Sequence, residues 1–304
     1  MGKVLLTEGD IEALWWVWML QVLSLDQIRR LRYFQEETGK LSHPDNVRKR
    51  LSRLAKAEYL IGDELWEEYS RKRMRIYRIG AAALPPLSYH FGVEQTRVHR
   101  PKAQNVFRQV HHTLLVSECA VRIVESLRGS DFEVPRLPPV EVPFYQTHMV
   151  GNPRSKKHVE RFVSQEDIWV PTASKPHRIR PDLVFALGKE GAHRLFFLEA
   201  DRGTESHAEI AAKQKGYACY AKAPDPDDPR KYLWQRYGAM RDFRVLLVTT
   251  TERRIKGLRS SLQNEPGFEL MAFTTEEQLQ HSNMAMEAIW TVPNGEQHPL
   301  LKSE

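Results

Sequence analysis

Two apolar runs that each carry acidic residues at one end are the part of this sequence best suited to chemistry. The first is Arg180-Pro181-Asp182-Leu183-Val184-Phe185-Ala186-Leu187. The second, after a polar break, is Arg194-Leu195-Phe196-Phe197-Leu198-Glu199-Ala200-Asp201-Arg202-Gly203-Thr204. Both read as strands, with Asp182 opening one and Glu199 closing the other. An antiparallel hairpin of the two sets Asp182 beside Glu199, and strand alternation points Asp201 to the same face as Glu199. Carboxylates gathered in this way repel one another, and the simplest relief is a divalent cation with a preference for hard oxygen ligands, Mg²⁺ or Mn²⁺. Such an ion activates water and stabilises charge on a phosphate, so the expected chemistry is metal-dependent hydrolysis of a phosphodiester. The plainer alternative is that the three acids are strand-end caps or ion pairs with Arg180 and Arg202.

Neighbouring segments offer assisting groups. A helix from about Thr204 to Lys222 supplies Lys213, Gln214, Lys215 and Tyr217, and Lys213 and Tyr217 stand one turn apart, so both can face one pocket. Tyrosine can act as a nucleophile that retains a covalent phosphate, but metal-activated water is simpler, and Tyr217 is expected to pack or to orient a phosphate. A long helix over Asn105 to Leu127 carries His111 and Glu118. Glu118 is a candidate additional metal ligand, with an ion pair to Arg122 as the plainer expectation. His111 and its neighbour His112 are candidate proton carriers, with a structural role as the plainer expectation.

These groups need a scaffold and a means of reaching DNA. Thr7 and Asp10 precede a crowded apolar stretch, Ile11 to Val22, that reads as a helix buried on much of its circumference. Ser24 caps a second helix carrying Leu25, Ile28, Leu31 and Phe34, which ends near Gly39. A third begins at Ser42 with Pro44 in its first turn, and its apolar side holds Val47, Leu51, Leu54 and Ala55. The opposite side gathers Asn46, Lys49, Arg50, Arg53 and Lys56, long enough to reach phosphates and base edges. Alternation over residues 59–61 and 73–80 then predicts a two-stranded hairpin whose tip holds Arg71, Lys72 and Arg73. Three helices and a basic hairpin over residues 7 to 82 resemble the winged helix-turn-helix, with the third helix in the major groove and the wing on the backbone or minor groove. A solvated basic face, or a winged helix used for protein contact, is the competing use of the same pattern.

Length and composition set the frame. A chain of 304 residues exceeds the usual single core and suggests two domains. Residues 1–82 read as the DNA-binding domain, 83–104 as a connector, 105–281 as the catalytic domain and 282–304 as a peripheral tail. The 45 Lys plus Arg against 39 Asp plus Glu leave a formal charge of +6, which suits a polyanionic partner without requiring one. Only Cys119 and Cys219 occur, and neither stands at zinc-ligand spacing, so a disulfide framework and a structural zinc site are not expected and the chain reads as cytoplasmic. The apolar stretch from Leu14 to Leu25 is interrupted by Gln21 and is too short to span a bilayer, so no membrane insertion is expected. Later runs, Phe243 to Thr250 and Phe268 to Phe273 as strands with a helix from Glu252 to Gln263 between them, complete a mixed α/β core.

Pro181-Asp182 and Glu199-Ala200-Asp201 together resemble the PD-(D/E)xK nuclease superfamily, which implies a restriction-endonuclease-like α/β core with a central mixed sheet. The superfamily's usual lysine, two residues after the second acid, is here Asp201. The superfamily can draw that lysine from the adjoining helix instead, which makes Lys213 the candidate and Lys215 the reserve. The preceding winged helix, the Glu-x-Asp-Arg-Gly-Thr run and the Lys-Gln-Lys helix are similar to the replication-relaxation family, over roughly residues 8 to 275. That family includes the MOBC-type mobilisation relaxases of conjugative and mobilisable elements. The resemblance implies a metal-dependent, site-specific nicking endonuclease acting on double-stranded DNA at a plasmid or mobile-element origin, alongside other DNA-processing or conjugation proteins and in an assembly that can be oligomeric. The alternative is a non-catalytic DNA-binding regulator or replication accessory whose nuclease-like core is inactive.

Overall fold

The computed structural model describes residues 4–35, 39–67, 72–91, 103–132, 168–170, 177–179, 181–189, 192–225, 228, 230–237 and 240–301. Among them are eight α-helices, a three-stranded antiparallel sheet and a six-stranded mixed sheet, which makes the chain mixed α/β. Contacts divide it into two compact units, with the boundary between Val121 and Arg122.

The first unit opens with α1 (Glu8–Leu20). Thr7 and Asp10 form a reciprocal cap: the Asp10 amide donates to Thr7 Oγ1 at 3.2 Å and the Thr7 amide donates to Asp10 Oδ2 at 2.7 Å. Ile11, Ala13, Leu14, Trp16, Val17, Met19 and Leu20 are all buried, so the helix is enclosed on most sides, as its crowded apolar sequence predicts. Strand β1 (Leu23–Ser24) leads directly into α2 (Leu25–Arg32), which Ser24 and Gln27 cap in the same reciprocal way. After the short pair β2 (Phe34–Gln35) and β3 (Lys40–Leu41), α3 (Pro44–Lys56) starts on Pro44, whose missing amide proton costs nothing at that position. It buries Val47, Leu51 and Leu54. Strands β4 (Leu60–Glu67) and β5 (Lys72–Ile79) form an antiparallel hairpin, and β1 joins on the β5 side. The turn leaving α3 requires glycine at position 80, where a Cβ would lie 2.0 Å from the Glu58 carbonyl oxygen.

The 83–104 stretch, expected as a connector, contains the helix α4 (Leu84–Phe91). Helix α5 (Ala103–Ser126) then crosses the boundary between the units. Within the first unit its Val110 and Leu114 pack on Val22 and Ile76. Ser117 Oγ donates to the Val22 carbonyl at 2.9 Å, and Gln27 Nε2 donates to the Leu114 carbonyl at 3.0 Å.

In the second unit a small ribbon of β6 (Ile168–Val170) and β7 (His177–Ile179) precedes the main sheet, whose order is β13-β12-β11-β10-β9-β8. Strands β8 (Leu183–Lys189) and β9 (Ala192–Asp201) are the antiparallel hairpin that the two acid-bearing runs predict. β10 (Met240–Thr249) and β11 (Met271–Thr275) continue parallel to β9, reached through α6 (His207–Lys222) and α7 (Glu252–Leu262). The core behind the sheet contains Phe197, Tyr217, Tyr220, Phe243, Val245 and Phe273. Only the latter part of the expected 268–273 strand is extended, since Phe268–Leu270 forms a 3₁₀ turn.

Beyond α8 (Glu276–His281) the chain is not peripheral. β12 (Trp290–Thr291) and β13 (Gln297–His298) add to the sheet, Trp290 is fully buried and its Nε1 donates to the Met284 carbonyl at 2.9 Å. Two-residue strands are too short for alternation to reveal them in a sequence. No helix among the described residues is long and apolar enough to cross a membrane.

Asp10 is the polar anchor of the first unit. Its side chain is 2 % exposed and takes two bonds from the Arg50 guanidinium, one of them from Nε at 2.8 Å. Burial raises its pKa, but Arg50 and the Thr7 amide more than offset this and hold the carboxyl below the usual range. Because the folded value is depressed, its contribution to stability is complete above the ordinary carboxylate range and is lost as the pH falls through the folded value. Asp10→Ala is expected to lower the unfolding free energy by about 1–3 kcal/mol at neutral pH, from loss of the cap and of the Arg50 pair. Urea denaturation of the variant and the parent at neutral and acidic pH measures this, with the gap narrowing in acid.

Candidate functional site

The β8–β9 register, Leu183 opposite Leu198, places Asp182 across from Glu199. The Asp182 amide donates to the Leu198 carbonyl at 2.9 Å, and its Oδ2 accepts from the Ala200 amide at 2.8 Å, so the side chain is held against the end of β9. Glu199 is 3 % exposed. Its carboxylate takes two donors from α6: Lys213 Nζ reaches Oε2 at 2.8 Å and the Tyr217 hydroxyl reaches Oε1 at 2.6 Å. Helix α6 can present both because they are four residues apart on one face, and because Ser206 and Glu209 cap its first turn directly after β9.

Burial pushes the Glu199 carboxyl up to about 7, opposed by the Lys213 ammonium and reinforced by the nearby charge of Asp182. For Lys213 burial acts downward, yet Glu199 and Glu205 together outweigh it and raise the ammonium above its usual value, so it is a fixed cation at neutral pH. Burial and then the charge of Glu199 raise the Tyr217 hydroxyl well above the usual phenol. Tyr217 is completely buried and its hydroxyl donates to Glu199.

Asp201 shares the sheet face of Glu199 but has different company. Its Oδ2 accepts from Arg254 Nε on α7 at 2.9 Å and from Thr249 Oγ1 on β10 at 3.3 Å, and its Oδ1 accepts from the Gly203 amide at 2.8 Å. Thus the hairpin brings Asp182 and Glu199 together, while Asp201 is turned into an ion pair with Arg254. The expected three-acid cluster therefore reduces to two adjacent acids and one lysine. Among the described residues no group of three or more His, Cys, Asp or Glu side chains is placed to hold a metal ion. Asp182 and Glu199 do fit the protein end of a Mg²⁺ or Mn²⁺ site, because Mg²⁺ is commonly held by one or two carboxylates, with waters and substrate phosphate completing its shell.

Of the other candidates, Lys215 is exposed and pairs with Glu265 at 2.9 Å, away from Glu199. Glu118 lies in the first unit, where Arg30 NH1 contacts both its carboxylate oxygens at 2.8 and 3.0 Å. His111 is exposed on α5. On α3, Asn46, Lys49, Arg53 and Lys56 are exposed on the side away from Val47, Leu51 and Leu54. Arg50 departs from that face, because the buried Asp10 carboxylate on α1 draws its guanidinium inward. Arg73 is exposed on β5, 3.4 Å from Glu64, and Lys72 begins that strand; Arg71 lies outside the described residues.

Glu205 and Arg254 also take part, and the sequence reading singles out neither. Glu205 Oε1 is 2.7 Å from Lys213 Nζ, and Arg254 donates both to Asp201 and to the Glu205 carbonyl. Glu205 had a usable signal, eight residues before Lys213 and just ahead of the helix cap. Arg254 had none, since only the parallel pairing of β10 with β9 brings residue 254 next to residue 201.

In metal-free buffer, the raised Glu199 carboxyl gives a definite sign. The native state holds this proton more tightly than the unfolded chain, so its charge costs stability increasingly as the pH rises from the ordinary glutamate range to about 7, and no further above that. Glu199→Gln is therefore expected to gain stability relative to the parent across that interval. Chemical denaturation at several pH values measures it, and parallel curves for the two proteins would contradict the assignment.

A family profile described as replication-relaxation matches residues 14–232. No curated protein and no solved structure matches the chain.

Proposed function

The chain belongs to the replication-relaxation family, and from that premise we propose that it is a DNA-processing protein of replication or mobilisation whose second unit nicks DNA in a metal-dependent reaction. The observation that carries this reading is the adjacency of Asp182, Glu199 and Lys213, two acids and a fixed cation at the end of one strand pair. Asp182 and Glu199 would hold Mg²⁺ or Mn²⁺, which would supply a nucleophilic water and charge stabilisation at the phosphate. Lys213 keeps its proton and offsets the negative charge that develops on the phosphate oxygens. Tyr217 orients Glu199 by its short hydrogen bond. Lys213 thereby takes the place of the lysine that the nuclease pattern has at position 201.

The first unit supplies the docking function in this reading. The element order α1-α2-α3 followed by the β4–β5 hairpin supports a winged helix, with α3 as its recognition helix. Asn46, Lys49, Arg53 and Lys56 form its contact face, joined by Arg71, Lys72 and Arg73 at the wing, and the substrate is an origin-like duplex site. Arg50 is excluded from that face by its pairing with Asp10.

A second reading has one observation in its favour: Glu199 is already fully satisfied by Lys213 and Tyr217. On that reading the unit is a nuclease-like core that binds no metal, and the protein regulates or assists replication by DNA binding alone.

A supercoiled plasmid carrying the cognate origin, incubated with Mg²⁺ or Mn²⁺, separates the two. Asp182→Asn and Glu199→Gln are expected to lower nicking by roughly a hundredfold or more, and Lys213→Met by a similar factor. Lys215→Ala is expected to nick like the parent, since Lys215 serves only an exposed pair. Undiminished nicking by Asp182→Asn would overturn the site; footprinted DNA without divalent-ion binding in calorimetry would establish the regulator. For docking, Arg53→Ala is expected to cost about 1–3 kcal/mol if it reads a guanine, while Lys49→Ala weakens binding to all sequences and reduces the salt slope by about one. Titrations at several salt concentrations measure both.

A further inference from the structure

The acid at position 201, where the nuclease pattern places lysine, is bonded in a way that gives it a different use. Asp201 is 2 % exposed and its three hydrogen bonds come from three places: the Gly203 amide in the loop after β9, Thr249 on β10 and Arg254 on α7. Arg254 is engaged at two points. Its Nε meets Asp201, and its NH2 donates to the carbonyl oxygen of Glu205. Glu205 in turn holds Lys213 Nζ at 2.7 Å, so the ammonium has a second carboxylate besides Glu199.

We propose that Asp201, Arg254 and Glu205 are positioning residues that fix Lys213 beside Glu199, with Asp201 anchoring the 202–205 loop through Arg254 rather than ligating a metal. A lysine on a four-carbon stem samples many rotamers, and a single carboxylate does not select among them. Two carboxylates on one ammonium do, provided that both are themselves held. Glu199 is held by burial and Tyr217. Glu205 is only partly buried and stands in a loop, so its placement depends on the bond from Arg254 to its carbonyl. The planar guanidinium can span Asp201 and that carbonyl at once, which a lysine at position 254 cannot do. A lysine delivered from a helix, in contrast to one delivered from the strand itself, has to reach across from one element to another and so needs such external fixing.

The inference rests on the cleavage reading for its kinetic part, so the test has an arm that needs no activity. Full-length protein is labelled with a limiting amine-acylating reagent, and modification of Lys213 is read by mass spectrometry against the exposed Lys49 of the same chain. Glu205→Gln, and the pair Asp201→Asn with Arg254→Met, which leaves no buried charge unpaired, are each expected to raise Lys213 labelling about tenfold, the scale of one lost charge partner. Arg254→Lys is expected to fall between them and the parent. In the nicking assay the same variants are expected to lower kcat with KM unchanged, and Arg254→Lys to restore part of it. Should the double variant fail to fold, Glu205→Gln and Arg254→Lys still decide. Unchanged Lys213 labelling in Glu205→Gln and Arg254→Lys overturns the positioning role, whether or not the protein nicks. Raised labelling in a protein whose parent does not nick upholds the positioning role and removes the cleavage reading alone.

Discussion

Glu199 is an acid in a place where water cannot compensate it, and a buried carboxylate must be protonated, paired or bound to a cation. Here it is paired, and the pairing determines much of what surrounds it. The sheet has to start β8 just after Asp182 to put a second acid next to it, and α6 has to begin a short loop after β9 so that Lys213 and Tyr217 arrive on the correct side. The aromatic core beneath, in which Phe197 lies against Tyr217, Tyr220 and Phe243, fixes the angle at which α6 meets the sheet. One polar requirement at the edge of the core is thus met by the apolar packing behind it.

The two units solve the same physical problem in different ways. In the first, Asp10 is as deeply buried as Glu199, but it also serves a helix cap, and a single arginine from α3 completes it. Its bonds are strong enough to keep the group charged. In the second, Glu199 meets a lysine, a phenol and a neighbouring acid, and the balance leaves it close to neutrality in water's normal pH range. A charge that is firmly held is suited to architecture. One that is poised between states is suited to chemistry.

Much of this was legible in the amino-acid sequence wherever a short-range pattern encodes the structure. The caps at Thr7 and Ser24, the apolar face of α3 and the acid-bearing hairpin all follow from spacing within a few residues. The pairing of Asp182 with Glu199 was legible too, because a hairpin is the simplest connection between adjacent strands. What escaped is long-range. Arg50 looks like part of the basic face until Asp10, forty residues earlier, takes it. Arg254 looks like an ordinary first-turn arginine until β10 lies parallel to β9. The two-residue strands at Trp290 and Gln297 escaped for a different reason: they are held by tertiary packing, with no periodicity of their own.

Helix α5 carries a consequence for how this architecture can be taken apart or recombined. Its residues up to Val121 belong to the first unit, where Val110 and Leu114 cover Val22 and Ile76 and where Glu118 neutralises Arg30. The sequence between the units that looks most like a hinge, around residues 83–104, is therefore not a seam. A fragment ending there would leave the Val22–Ile76 cluster open to solvent and Arg30 without its strongest acid partner, and would tend to aggregate rather than to bind DNA as an isolated module. Exchange of the first unit between proteins of this architecture has to carry the first half of α5 with it, so recombination within a continuous helix, not within a loop, is the cut that the fold tolerates.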